Sequence, residues 1–257
     1  MTGMNSDVAR RIAAWLANAN KPVVFTGAGM STESGIPDFR SPGGIWSKYR
    51  TVYYDEFLAS AEARPEYWRQ KSEGHRDFAA AQPNAGHRVI ARWEARNLIH
   101  GVITQNIDGL HQIAGCRNVL ELHGTAREIM CQDCGARYDA EPLVSEFLKS
   151  DRVPTCHECG DGRLKHATIS FGQTLPEQVL DEAGQWCRQS ELLLAIGSSL
   201  VVTPAADLPV LTKQHGGRLV IINRDPTPLD GLADEVIHAP IGETLTAIDR
   251  ISADNVV

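Results

Sequence analysis

The sequence predicts an open, doubly wound α/β sheet of parallel strands, interrupted by a smaller inserted domain. Two observations lead to this fold class. Short runs of Val, Ile and Leu, typical of strands buried on both faces of a parallel sheet, alternate with helical patterns along most of the 257 residues. Two stretches do not follow the alternation, and we assign them to the insertion.

The alternating part of the chain contains six predicted strands and three well-marked helices. The strands are predicted at 23–26, 101–104, 119–122, 192–196, 219–222 and 235–238. The helices are predicted at 7–17, 84–97 and 243–251. The first helix carries Ile12 and Leu16 on one face, and Asn84 is a favourable N-cap for the second.

The two exceptions are 55–82, which has a helical pattern without a strand, and 131–160, which holds paired cysteines among polar residues. We expect the small domain to combine a helical insert, 43–82, with a cysteine-rich module, 127–164. The large α/β domain would then consist of 1–42, 83–126 and 165–257.

Composition and charge exclude several classes of protein. The chain has 25 Lys and Arg against 32 Asp and Glu, a net charge of −7, which argues against a dedicated nucleic-acid-binding protein. Its apolar stretches, such as 192–196, are far shorter than the roughly 20 residues that cross a membrane. We also expect no signal peptide, and hence a cytoplasmic protein without a membrane partner.

A glycine-rich turn follows the first predicted strand. Gly27, Ala28 and Gly29 are small enough to let backbone N–H groups approach a phosphate. The usual dinucleotide fingerprint has a third glycine three residues later, but Thr32 stands there, which disfavours an ordinary nicotinamide-dependent dehydrogenase. By itself this motif is weak evidence, because a tight strand–helix turn explains it equally well.

Polar residues follow four other predicted strands, at the carboxyl edge where such sheets bind ligands. In chain order they are Gln105, Asn106 and Asp108, then His123, then Ser198 and Ser199, then Asn223. Each group alone also fits a turn or a helix cap. A histidine, whose ordinary pKa is about 6.5, is a natural general base. Several such groups on one edge favour a ligand site.

Four of the six cysteines occur in two C-x2-C pairs with 21 residues between the pairs: Cys131, Cys134, Cys156 and Cys159. This spacing is typical of a structural zinc ribbon, in which four thiolates complete a tetrahedral shell and leave no position for a reactive water. We therefore expect one zinc ion that folds the module without taking part in catalysis. The remaining cysteines, Cys116 and Cys187, are interpreted as inert, partly buried thiols rather than nucleophiles.

The segments GAGMSTESGIPDFR, TQNIDGLH, ELHG, SFG, GSSLVVTPAADLP and IIN occur together with the two cysteine pairs. In this order they resemble the sirtuins, which are NAD-dependent protein lysine deacylases, over roughly 22–242 of the chain. The resemblance implies a Rossmann-like large domain that binds NAD and a small domain that contains helices and a zinc ribbon. An acyl-lysine protein or peptide would enter the cleft between them.

The resemblance also implies which residues surround NAD. Gly27, Ala28 and Gly29 would line the pyrophosphate, and Asp38, Phe39 and Arg40 would begin the cofactor-binding loop. The residues beside the nicotinamide and its ribose would be Gln105, Asn106, Ile107, Asp108 and His123. The adenosine end would be held by Gly197, Ser198, Ser199, Asn223, Arg224 and Ile241.

In the reaction that the resemblance implies, the acyl oxygen attacks the ribose as nicotinamide leaves, which gives an alkylimidate. His123 then acts as general base for attack by a ribose hydroxyl, and Asn106 positions water or the ribose. The products are deacylated lysine, nicotinamide and an O-acyl-ADP-ribose. Strand-like segments would bind the peptide backbone by β-augmentation through Ile169, Phe171, Gly172, Val201 and Val202.

The acyl group itself is predicted from what the helical insert contains. Sirtuins that remove acidic acyl groups carry a Tyr-x-x-Arg pair there, but Tyr67 is followed three residues later by Gln70. We therefore expect a small, uncharged acyl group such as acetyl, with His75 and Arg76 as the alternative cations. The chain also departs from many relatives in the segment 164–170. Those relatives have Arg-Pro near the start of the segment and an aromatic residue at the position of Ser170.

Three other functions stay open on the sequence alone. A protein ADP-ribosyltransferase would use the same NAD site but leave the sugar on a protein. A zinc-ribbon nucleic-acid module is opposed by the net charge of −7. A dehydrogenase is opposed by Thr32 and by the cysteine-rich insertion. The sequence predicts no oligomeric state.

Overall fold

The computed structural model describes residues 5–37 and 50–254, apart from the side chains of 76–78 and 254. Its strands are β1 (Val23–Thr26), β2 (Gly101–Thr104), β3 (Val119–Glu121), β4 (Gly124–Cys131), β5 (Arg137–Asp139), β6 (Leu164–Thr168), β7 (Leu192–Ile196), β8 (Arg218–Ile222) and β9 (Glu235–Ile237). Its helices are α1 (Ser6–Asn18), α2 (Tyr54–Ala59), α3 (Ala63–Ala80), α4 (Ala85–Ala95), α5 (Leu110–Ala114), α6 (Ala140–Ser150), α7 (Glu177–Gln189), α8 (Leu208–Gln214) and α9 (Ile241–Asp254). Short 3-10 helices lie at Ala28–Ser34, Ala205–Asp207 and Asp230–Leu232.

The six predicted strands form one parallel sheet in the order β3-β2-β1-β7-β8-β9. From β1 the chain adds β2 and β3 on one side, and it later adds β7, β8 and β9 on the other. The carboxyl ends of β1 and β7 therefore meet where the strand order reverses, which is where open α/β sheets bind ligands. The doubly wound α/β fold is confirmed.

Side chains of the central strands alternate between two buried layers, which explains their unbroken apolar runs. Val24, Val102 and Leu194 belong to one layer, where they pack with α1, α4 and α9. Phe25, Ile103 and Leu193 belong to the other, where they pack with α7 and α8. Burial on both faces by helices holds the sheet edge in a defined position.

A second core lies among α2, α3, α6 and a three-stranded antiparallel sheet in the order β5-β4-β6. Its largest buried side chains include Phe57, Trp68 and Phe147. The sheet begins at Gly124 and ends at Thr168, so it extends past the boundaries predicted at 126/127 and 164/165. The division of the chain into two domains at those boundaries stays a prediction.

The strand-like character predicted for 169–172 is wrong. The strand is β6, whose pairing with β4 ends at Thr168 opposite Gly124. The chain then turns at Gly172, which has φ +83°, and the carbonyl of Phe171 accepts a 3.0 Å hydrogen bond from the amide of Tyr54. The Val201–Val202 segment is likewise outside any strand. Among the helices of the described residues, none combines the length and apolarity that crossing a membrane requires.

Candidate active site

Three glycines bring the turns after β1 and β7 into contact. The amide of Gly29 donates to the carbonyl of Gly197 at 2.8 Å, and the amide of Gly27 donates to Ile196 at 3.1 Å. Gly197 has φ +64°, and a Cβ on it would collide with the backbone nitrogen of Met30. Only glycine therefore allows the two turns to pack this closely at the switch point of the sheet.

A cleft of about 490 Å³ opens beside these turns, within the size range of small-molecule sites. Eight of the residues predicted to bind the cofactor line it: Ala28, Gly29, Gly197, Ser198, Ser199, Asn223, Arg224 and Ile241. Gly27 instead packs against the other turn, since a Cβ on it would lie 2.8 Å from the carbonyl oxygen of Gly197. Thr32, Glu33 and His238 also line the cleft and were not predicted to do so. Thr32 stands at the third-glycine position of the dinucleotide fingerprint, which is a signal that could have placed it here, whereas Glu33 and His238 look like ordinary turn residues.

The far end of the cleft is organised by the loop after β8. The side-chain amide of Asn223 donates to the carbonyl of Asp225 at 2.8 Å, and the carbonyl of Asn223 lies 2.9 Å from Nδ1 of His238. Arg224 forms an ion pair with the carboxylate of Asp225 at 2.9 Å, and its side chain is largely exposed. Backbone contacts thus shape this end, and its charged residue lies at the rim.

Gln105 connects the cleft to His123. Its side-chain amide donates to Oγ of Ser198 at 2.7 Å, and its carbonyl oxygen lies 2.9 Å from Nδ1 of His123. Because a carbonyl oxygen can only accept, we infer that Nδ1 carries the proton and that Nε2 of the neutral ring keeps its lone pair. Burial lowers the pKa of His123, although the Gln105 bond opposes the shift. The ring is therefore a neutral base near pH 7.

Ser31 holds Asn106 and Asp108 together. Its hydroxyl donates to the carboxylate of Asp108 at 2.7 Å and accepts from the side-chain amide of Asn106 at 3.1 Å. Burial raises the pKa of Asp108, while its hydrogen bonds from the Leu110 amide and from Ser31 oppose the shift. Sequence reasoning missed Ser31, because its partners come from a segment more than 70 residues away.

A chain of contacts among buried hydroxyl and imidazole groups supports the backbone at Asn106. Thr26 donates to Thr104 at 2.8 Å, and Thr104 also accepts from the backbone amide of Asn106 at 3.0 Å. Oγ1 of Thr26 lies 3.0 Å from Nε2 of His111, whose ring is 4.9 Å from that of His87. Burial lowers the pKa of both histidines, that of His87 to about 4. These groups orient the backbone that presents Asn106.

One of the residues predicted to bind peptide, Ile169, contacts His123. The backbone amide of Ile169 donates to the carbonyl of His123 at 2.8 Å. Phe171 and Val201 are large apolar side chains that stay about half exposed, as is Tyr53 beside Phe171. The carbonyl of Ile107 accepts a hydrogen bond from the amide of Ala126 at 2.8 Å. Of the predicted cofactor residues, Asp38, Phe39 and Arg40 lie outside the described part of the chain.

The four paired cysteines form one cluster in the second core. Their sulfur atoms all lie within 4.8 Å of one another, with Cys131–Cys159 at 3.8 Å and Cys134–Cys156 at 3.6 Å. Zinc–sulfur bonds of about 2.3 Å in a tetrahedron place the sulfurs about 3.8 Å apart, so the cluster fits one zinc ion. The hydroxyl of Tyr138 lies 3.1 Å from Sγ of Cys156 and lowers the pKa of that thiol, which favours the thiolate.

Next to the cluster, position 162 has no space for a side chain. A Cβ at Gly162 would collide with the sulfurs of Cys131 and Cys159. Cys131 and Cys156 are themselves buried core residues of the second core. The geometry therefore indicates a structural metal site, in which metal binding and packing of this core are coupled.

Comparison with known proteins yields one family. The model of the Sir2 family matches residues 27–204. The chain is 47% identical to the NAD-dependent protein deacetylase of Rhodopseudomonas palustris, with 90% of this chain and 91% of that protein covered. It is 49% identical to NAD-dependent protein deacetylase 1 of Bradyrhizobium diazoefficiens, with 91% and 92% covered.

Solved structures agree with the sequence comparison. A Sir2 variant with a deacetylated p53 peptide and 3′-O-acetyl-ADP-ribose superposes with a TM-score of 0.86. It shares 38% sequence identity, and the alignment covers 94% of this chain and 97% of that chain. The likeness thus extends over both cores and the cleft.

Proposed function

Because this chain belongs to the Sir2 family, we propose that it is an NAD-dependent protein lysine deacetylase that transfers the acyl group to ADP-ribose. The products are the free lysine, nicotinamide and an O-acyl-ADP-ribose. The observation that carries the proposal is the position of His123. Its neutral imidazole contacts the backbone carbonyl of Gln105, and the side chain of Gln105 contacts Ser198 in the wall of the cleft. This geometry supports His123 as the base.

The cleft supports NAD as the second substrate. NAD supplies the ribose carbon that receives the acyl oxygen, with nicotinamide as the leaving group. Gly29 and Gly197 present backbone without side chains, which suits a pyrophosphate, and Ser198 and Ser199 supply hydroxyls for phosphate or ribose. Asn223, Arg224 and Ile241 would hold the adenosine end. Asp38, Phe39 and Arg40 stay predicted members of the same site.

His123 is proposed as the general base, acting through Nε2. Its Nδ1 proton is held by the carbonyl of Gln105, so the ring can accept one proton from a ribose hydroxyl and later return it. Asn106 and Asp108 are held at a fixed spacing by Ser31, which supports a positioning role beside the nicotinamide ribose. Desolvation of these groups strengthens their hydrogen bonds to a polar ligand.

Acyl-lysine peptides are the proposed first substrate. The half-exposed apolar side chains of Phe171 and Val201 support contact with an extended peptide. We propose that it binds by β-augmentation, with Ile169, Gly172 and Val202 in the same two segments. The cysteine cluster is proposed to hold one structural zinc ion. A cytoplasmic location stays a prediction of the sequence.

The function is tested with a library of acetyl-lysine peptides incubated with and without NAD. Mass spectrometry is expected to find the deacetylated peptide, nicotinamide and O-acetyl-ADP-ribose only when NAD is present. NAD labelled in its ADP-ribose part then separates deacylation from protein ADP-ribosylation. Label in a small acylated product supports the proposal, and label retained on protein with no deacylated peptide contradicts it.

A further inference from the structure

Arg127, a residue of β4, contacts the turn that carries Asp108. Its Nε donates to the backbone carbonyl of Asp108 at 2.6 Å. One residue earlier on β4, the amide of Ala126 donates to the carbonyl of Ile107 at 2.8 Å. β4 therefore binds two successive carbonyl groups of the segment that follows β2, one through its backbone and one through a charged side chain.

Gly109 leaves room for this arginine. It has φ +69°, and a Cβ at this position would lie 2.6 Å from Nε and 2.7 Å from Cδ of Arg127. A larger residue would therefore displace the guanidinium group in addition to straining the backbone. Neither residue was predicted to belong to the site, because nothing in the sequence connects a glycine after β2 with an arginine in β4.

Part of the Arg127 guanidinium group is buried without a partner. Its Nη2 is inaccessible to solvent and has no hydrogen-bond acceptor. Across residues 5–37 and 50–254, the ion pairs include neither Arg127 nor Asp108. Because a buried charge is costly to leave unbalanced, the positive charge of Arg127 has to be compensated by an acidic group beyond contact distance.

Asp108 is the acidic group on which this charge acts, and it is only 4% exposed. Burial raises the pKa of Asp108, whereas its hydrogen bonds and the positive charge of Arg127 oppose the shift. Glu121, at the end of β3, acts in the opposite sense to Arg127, because like charges repel. Burial raises the pKa of Glu121 to about 7, and the negative charge of Asp108 adds to that shift. Arg127 is thus the cation that offsets both burial and like charge at Asp108.

We propose that Arg127 is a positioning residue of the deacetylation reaction, which fixes the Asp108 turn through its Nε and supplies the positive charge that the buried carboxylate lacks. The inference rests on the proposed function and assigns to it a residue outside the segments that resemble sirtuins. Arg127 acts through Asp108, which is proposed to lie beside the nicotinamide ribose of NAD. An ionised carboxylate only accepts hydrogen bonds, so the charge of Arg127 keeps Asp108 an acceptor toward NAD.

The alternative interpretation is that Arg127 only ties β4 to the segment after β2, with ordered water at its Nη2. Any side chain that donates a hydrogen bond to the Asp108 carbonyl would then serve, whatever its charge. A role through the Asp108 carboxylate makes two further demands. Position 127 has to carry a positive charge, and its loss has to matter more at low pH, because a carboxylate without a nearby cation takes up a proton more readily.

The decisive measurement compares Arg127→Lys with Arg127→Gln in the full-length, zinc-containing enzyme. Both side chains can donate a hydrogen bond, but only lysine keeps the charge. At neutral pH and with an acetyl-lysine peptide, we expect kcat/KM for NAD to fall about tenfold in Arg127→Gln and to stay within about threefold of the wild type in Arg127→Lys. Arg152→Gln, at an exposed position after α6, is the matched control and should change nothing. Equal values for the two variants at position 127 would overturn the inference.

The pH dependence of the same rate constant separates an electrostatic role from a structural one. The ratio of kcat/KM between the wild type and Arg127→Gln is measured from about pH 8 to about pH 6. Both proteins contain His123, so the titration of that ring cancels in the ratio. Removal of the cation raises the pKa of Asp108 further, so more of the variant is protonated at low pH and the ratio is expected to rise as the pH falls. A ratio that is constant or that falls would overturn the inference.

Melting temperature and zinc content are measured on the same preparations. We expect both variants at position 127 to fold and to retain zinc. Failure of either one to fold would make Arg127 a residue of stability and would also overturn the inference. NAD-dependent deacetylation by the wild type, with no difference between Arg127→Lys and Arg127→Gln, defeats this inference alone. Absence of NAD-dependent deacetylation in the wild type defeats the proposed function and the inference with it.

Discussion

Nδ1 of His123 lies 2.9 Å from the carbonyl oxygen of Gln105, whose side-chain amide donates to Oγ of Ser198 at 2.7 Å. One residue thus sets the tautomer of the proposed base with its backbone and contacts the wall of the cleft with its side chain. Because the two contacts use different atoms of Gln105, the imidazole can be removed without removing the hydrogen bond to the cleft. This separation makes base function and cofactor binding testable apart.

Replacement of His123 by alanine is expected to lower deacetylation by about 10²–10⁴-fold, the range typical of a positioned general base. Binding of NAD should be nearly unchanged, because Gln105 keeps its contact with Ser198. Single-turnover kinetics with an acetyl-lysine peptide and calorimetric titration with NAD measure the two effects. His215→Ala, at an exposed position after α8, is the control. Turnover near that of the wild type in His123→Ala would exclude the assignment.

The pH profile of kcat/KM follows from the lowered pKa of His123. Desolvation disfavours the charged ring, so the folded enzyme takes up this proton below the ordinary histidine pKa of about 6.5. Protonation occupies Nε2 and removes the base. The rate constant is therefore expected to be level at neutral pH and to fall on the acid side, with its midpoint below about 6.5. A midpoint above that value would show that desolvation is not the dominant effect on this ring.

Gly197 is expected to tolerate no side chain. Gly197→Ala places a Cβ against the backbone nitrogen of Met30 in addition to straining a residue at φ +64°. Gly216→Ala is the matched control, because Gly216 has φ +86° and open space around its Cβ position. Both variants carry the cost of positive φ, about 1–2 kcal/mol, so the difference between them isolates the collision.

Thermal unfolding and NAD titration of these two glycine variants measure the difference. We expect Gly197→Ala to be the less stable protein and to bind NAD more weakly, and Gly216→Ala to bind NAD normally. Equal melting temperatures with equal NAD affinities would mean that close packing of the turns after β1 and β7 contributes neither to stability nor to NAD binding.

The cysteine cluster is expected to stabilise the fold rather than to react. Cys131→Ser removes one of four thiolates from a closed shell and from the second core, so the purified protein should contain little zinc and unfold at lower temperature. Loss of activity should track the unfolded fraction. Metal analysis, circular dichroism and acetyl turnover on the same preparation test this. Cys187→Ala is the control. It removes a buried thiol, with a pKa raised to about 12, that packs beside the parallel sheet, so the variant protein should retain zinc. A metal-free variant that is stable and fully active would contradict a structural role.

Most of the fold could be predicted because its signals are local. Apolar runs predicted the bounds of β1, β2 and β7 to the residue, and those of β3, β8 and β9 to within one residue. The zinc cluster was equally accessible, since its ligands occur as two short pairs whose spacing is set by the coordination shell. The polar residues after the strands were assigned to one edge because parallel strands end on the same side.

The tertiary structure alone decided how those residues are held and where charge is buried. Ser31 joins Asn106 and Asp108 across more than 70 residues, and 169–172 turns away from the strand that its sequence favours. Lys165 lies in the interior because β6 packs against α3, although a lysine in a short strand reads as a solvent-exposed residue. The pattern of apolar residues and the spacing of the metal-binding cysteines depend only on residues that are close together along the chain. Hydrogen-bond partners and desolvation depend on which surfaces meet, and no local pattern in the sequence encodes that.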